Sequence, residues 1–132
     1  MHKAEIFHPD KNADTGAYSA GVVMAGWLYI SGQGPLDLKT GEVVAGTIEE
    51  ETLLTLSHIK KIIEEAGSSI DRIVKCTVHL SHIEDFGRFN EVYKSFFKDI
   101  AVMPARTTVG SVLSDGIKVE IDAVAFVGNT SL

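Results

Sequence analysis

Ile117-Lys118-Val119-Glu120-Ile121-Asp122-Ala123-Val124-Ala125-Phe126 alternates apolar and polar side chains as far as Asp122 and continues apolar to Phe126, the signature of a strand. Successive strand residues point to opposite faces, so Ile117, Val119, Ile121, Ala123 and Ala125 share one side. Lys118, Glu120, Asp122, Val124 and Phe126 share the other. A slip of one residue would expose the whole first set, so the register is fixed by burial.

Working outward, further strand signals lie at residues 17–24 and 27–31, on either side of the short turn Ala25-Gly26. The β-branched run 72–80 puts Val74, Cys76, Val78 and Leu80 on one side, and a Thr/Val run at 106–113 follows Pro104. Two segments have helical period instead. Thr47 precedes Glu50 by three residues, a capping-box spacing, and Glu49, Glu50 and Glu51 suit the positive end of the helix dipole. Thr52, Leu56, Ile59, Ile63 and Ala66 then recur at 4-3-4-3 spacing, widened by Leu53 and Ile62, with Gly67 as the stop. The second helix is read from Ser81, with Glu84 three residues on, and carries Phe86, Phe89, Tyr93 and Phe96 in one stripe.

The order β-β-helix-β-helix-β-β predicts an α+β layer, with both helices on one face of a mixed sheet. The other face stays apolar at Val124 and Phe126, and at Trp27 and Tyr29 if Leu28 and Ile30 face the helices. A large bare apolar face marks a partner surface, which predicts a closed homo-oligomer packed through it.

The 132 residues are the length of one domain, 1–132, able to bury a core without disulfide or metal staples. Twelve Lys+Arg against 18 Asp+Glu give a net charge of −6. That balance, with the basic residues scattered, counts against nucleic acid as a partner. No apolar run is long enough to span a bilayer, the N-terminus reads as no signal peptide, and Cys76 is alone. The expectation is a soluble, cytoplasmic domain that needs no cofactor and binds no metal. Asn129-Thr130-Ser131 fits a glycosylation sequon but reads as a polar tail.

Several chemical signals fail. Gly32-Gln33-Gly34 is followed by Pro35 and opens no helix, so it is a strand exit and no phosphate loop. His79 and His82 straddle a strand end and a helix start, which does not give them common ligand geometry. Cys76 lies on an apolar strand face and reads as an inert buried thiol. Arg106 and Glu120 survive. Arg106 opens a strand directly after Pro104-Ala105 and suits a two-pronged grip on a carboxylate. Glu120 sits mid-strand on the face assigned to the subunit contact, as an ion-pair partner or a buried base. From pattern alone, a structural salt bridge outweighs a functional role for each.

Eight segments in order carry a resemblance. They include Gly16-Ala17-Tyr18-Ser19, Tyr29-Ile30-Ser31-Gly32-Gln33, Thr40-Gly41-Glu42, Glu65-Ala66-Gly67 and Ile73-Val74-Lys75-Cys76-Thr77-Val78. Phe89-Asn90-Glu91-Val92-Tyr93, Pro104-Ala105-Arg106 and Val119-Glu120-Ile121 complete the set. Together they resemble the reactive intermediate deaminase family, the RidA/YjgF proteins, also called L-PSP endoribonucleases. The resemblance implies a chorismate-mutase-like α+β fold in a homotrimer, with a central β-barrel and clefts between subunits. It implies hydrolysis of reactive enamine and imine acids, of the 2-aminoacrylate type, to 2-oxo acids and ammonia.

In that reading Arg106 holds the substrate carboxylate and Glu120 orients the attacking water. Ser31 and Gly32 line the site, Tyr18 closes it, and Asn90 braces the wall. Thr108 departs from the family, in which many members have Cys two residues after the arginine, and Gly34 stands where a larger aliphatic residue is common. Both changes bear on substrate choice more than on fold. Two other functions stay open: an endoribonuclease that inhibits translation, and a trimer that binds small 2-oxo acids without turnover.

Overall fold

The computed structural model describes residues 2–11 and 16–128. The alternating stretch forms β6 (Val119–Phe126), a central strand of a six-stranded mixed sheet. The other strands are β1 (Ala4–Ile6), β2 (Gly21–Met24), β3 (Trp27–Gln33), β4 (Ile73–Leu80) and β5 (Ala105–Gly110), and the spatial order is β1-β2-β3-β6-β4-β5. Ile117, Val119, Ile121, Ala123 and Ala125 are all buried, as the alternation requires. The sequon at 129–131 lies outside the described residues.

Helix α1 (Ile48–Glu65) begins at the expected capping box: the Thr47 side chain accepts from the Glu50 N–H while the Glu50 carboxylate accepts from the Thr47 N–H. Such a cap contributes about 1 kcal/mol. Leu56, Ile59, Ile62 and Ile63 are fully buried against the sheet, each contributing roughly 1.5–3 kcal/mol by leaving water. Gly67, at φ +79°, takes the left-handed turn that ends the helix. Helix α2 (Phe86–Phe96) is the crossover between β4 and β5, which pair in parallel and so need a long connection. Leu28 and Ile30 face the helices, leaving Trp27 36% and Tyr29 52% exposed. Together with Met24 and Val74, they make the uncovered face apolar.

The structure corrects several expectations. A strand that the pattern missed, β1, pairs with β2, because three residues are too few to show alternation. The strand at 17–24 starts only at Gly21, and that at 106–113 ends at Gly110. Val74 is exposed, since the β4–β6 register shifts between Ile73 and Lys75 and turns it outward; Ile73 takes the buried place. Leu53 faces solvent, while Ile48 and Glu51 complete the buried stripe of α1. Ser81 caps no helix: its hydroxyl meets His82, a short 3-10 turn occupies Ile83–Asp85, and α2 begins after Asp85. Phe86 is half out of the core, and Phe97, beyond the helix end, is buried instead.

Candidate active site

Arg106 lies on edge strand β5 opposite Cys76 of β4. Neighbours in parallel register point the same way, and Cys76 is buried under the helices, so Arg106 projects on the helix side. There its Nη1 donates to Asn90 Oδ1 at 2.8 Å. The guanidinium lies 4.7 Å from the Tyr93 ring centroid, 5.5 Å from Phe86 and 5.6 Å from Phe89. Planar cations are attracted to aromatic faces, so α2 both orients and cradles the charge. Thr108, two residues along the same strand face, has a buried Oγ1 with no hydrogen-bond partner. Beneath them, burial pushes the Cys76 thiol up and the Tyr93 hydroxyl up, so both stay protonated.

Glu120 lies on the opposite, uncovered face, in register with His79 of β4. Gly32 of β3 makes room for it: a Cβ added at Gly32 would stand 2.8 Å from Glu120 Oε2. Ser31 donates its hydroxyl to the Ser19 carbonyl at 2.6 Å, which fixes the chain next to Tyr18. Tyr18 is exposed, with the Lys11 ammonium 5.6 Å from its ring centroid. Gly32 and Tyr18 also line a pocket of about 290 Å³ with His8, Lys11, Leu36 and Lys39.

One chain thus brings the expected residues together in two groups. Asn90, Arg106 and Thr108 stand on the helix side at one edge; Tyr18, Ser31, Gly32 and Glu120 gather near the uncovered face. The ion pairs among the described residues are Lys61–Asp10, Arg88–Glu49 and Lys118–Glu51. Neither Arg106 nor Glu120 joins one of these pairs within the chain. Sequence reading missed the aromatic cradle of Arg106. Its signal was available, since Asn90 falls at 4-3 spacing between Phe86 and Tyr93. It also missed His8, Lys11 and Lys39, for which no local spacing gives a cue. Among the described residues no cluster of three or more His, Cys, Asp or Glu could hold a metal ion, and no helix is long and apolar enough to cross a membrane.

The endoribonuclease L-PSP family matches residues 9–127. A RutC family protein of Pyrococcus abyssi is 38% identical over 127 residues, covering 96% of this chain and 98% of its own. The 2-iminobutanoate/2-iminopropanoate deaminase of Rattus norvegicus is 38% identical over 117 residues, covering 88% of this chain and 84% of its own. Among solved structures, E. coli TdcF with bound serine superposes with a TM-score of 0.85 at 34% identity, covering 93% of this chain and 98% of its own.

Proposed function

The chain belongs to the endoribonuclease L-PSP family, the RidA/RutC proteins, and from that premise we propose that it hydrolyses small 2-imino acids to 2-oxo acids and ammonia. The observation that carries this reading is Arg106: oriented by Asn90, cradled by three rings, and unneutralised by any carboxylate among the described residues. A guanidinium prepared in this way fits the carboxylate of a small acid through two parallel charge-assisted hydrogen bonds. The family includes an enzyme named for this reaction in rat, and a relative binds serine, which bears the same carboxylate.

The chemistry asks little beyond alignment. The imine carbon of a 2-imino acid is already electrophilic. Water, oriented by Glu120, adds its oxygen to that carbon and passes a proton to the carboxylate. That proton goes to nitrogen, giving a carbinolamine; its hydroxyl then passes its own proton by way of the carboxylate to the same nitrogen, as the C=O forms and the C–N bond breaks with its electron pair on nitrogen. A 2-oxo acid and ammonia leave. Thr108 Oγ1, buried and unpartnered, supplies a further hydrogen-bonding group beside the carboxylate clamp.

Arg106 and Glu120 point from opposite faces of one sheet, so the working site takes one group from each of two protomers. The uncovered apolar face fits a homotrimer closed around a central barrel of sheets, with the site in the clefts between subunits. The test couples purified protein to a threonine dehydratase and follows semicarbazide trapping of the released imine. Wild type is expected to suppress trapping and Arg106→Ala to lose that effect; no suppression by wild type overturns the reading.

A further inference from the structure

The pocket beside Gly32 has an electrostatic character at odds with the rest of the protein. The chain carries a net charge of −6, yet among the described residues no Asp or Glu lines this pocket, and the charged side chains that do are Lys11 and Lys39. Neither ammonium joins an ion pair among the described residues. Of the nearby carboxylates, Asp10 pairs with Lys61, and Asp37 accepts from the backbone N–H groups of Lys39 and Thr40.

The walls are built in place by two buried histidines. The Asp10 N–H donates to His8 Nδ1 at 3.0 Å, which leaves the proton of a neutral His8 on Nε2. That Nε2 is 3.0 Å from His58 Nδ1, and His58 Nε2 is 2.7 Å from the Leu36 carbonyl. Every donor meets an acceptor only if both rings are neutral, so the relay leaves the pocket's charge to the lysines. It also ties three of its borders together: the segment around His8, helix α1 through His58, and the turn bearing Leu36, which is further closed by its bridge to Val43.

We propose that this pocket is a subsite for the second acidic group of a dicarboxylic 2-imino acid and its 2-oxo product, held by Lys11 and Lys39. The inference rests on the deaminase reading for the role of the bound acid, because Gly32 joins the pocket to Glu120. The class of reaction that supplies such a substrate is oxidation of an acidic amino acid to its imine.

The test is calorimetric titration of the whole protein with 2-oxoglutarate and with 2-oxobutyrate. The expected result is about tenfold tighter binding of 2-oxoglutarate, the size of one charge-assisted contact. The ratio should fall to about one in Lys11→Ala/Lys39→Ala and persist in Lys11→Arg/Lys39→Arg. Equal affinities in wild type, a preference that survives the double alanine change, or binding of neither acid overturns the subsite. The deaminase reading is judged separately by imine trapping: a lysine-dependent preference with no turnover leaves the subsite standing and removes that reading.

Discussion

Arg106 and Glu120 stand on opposite faces of the same sheet, with β4 between their strands. The register makes this unambiguous: Arg106 aligns with Cys76, which is buried under the helices, and Glu120 aligns with His79 on the uncovered side. Two groups so placed can serve one reaction only across a boundary between protomers.

That arrangement makes complementation a direct measurement. Arg106→Ala and Glu120→Gln are each expected to abolish imine suppression alone. Co-expressed in equal amounts, they should recover roughly a quarter of wild-type activity, because one random pairing in four joins an intact arginine to an intact glutamate. Absence of any recovery would overturn the shared site.

Gly32 should be needed for activity far more than for folding. Its missing Cβ would press on the far end of the Glu120 side chain, which can swing away cheaply but not without moving the carboxylate. Gly32→Ala is therefore expected to cost on the order of 100-fold in kcat/KM, while Tm moves by only about 2 °C.

The ion pair of the buried Glu51 with the partly exposed Lys118 is the opposite case. The Glu51 carboxylate accepts from the Gly46 N–H, the Lys118 N–H and the Lys118 ammonium at 2.8–3.1 Å. It pins the approach to α1 onto the start of β6, and its loss would strand two backbone donors. Glu51→Ala should destabilise the protein by about 3 kcal/mol, read from urea unfolding.

Acid should weaken the fold through His8. Burial, then the neighbouring His58, lowers its pKa to about 4 from an ordinary 6.5. The unfolded chain therefore binds the proton more readily than the folded one, and the stabilisation present above pH 6.5 is lost as the pH falls through 4. Its size is on the order of 3 kcal/mol. Urea midpoints measured between pH 7 and 4 should fall steeply for wild type and less steeply for His8→Asn.

What could be read from sequence follows from what is local. The 117–126 alternation set β6 and its register, because burial of one face forbids a slip. Thr47 and Glu50 set the start of α1, because a cap is completed within four residues. Ser81 and Glu84 show the same spacing and do not cap, because His82 and the Ile83–Asp85 turn intervene. Val74 was misassigned because a bulge is a property of two paired strands and leaves no mark on one.

The sequence by itself determined the layer order, the one-sided helices, the bare second face and the residue types available for gripping an acid. Only the tertiary structure decided that Arg106 turns toward α2 while Glu120 turns away, that Glu51 is buried, and that His8 meets His58 across fifty positions. The physical reason is range. Periodicity and capping depend on neighbours along the chain, whereas the face shared by two strands, the pairing of two rings and the burial of a charge depend on which distant segments come to lie side by side.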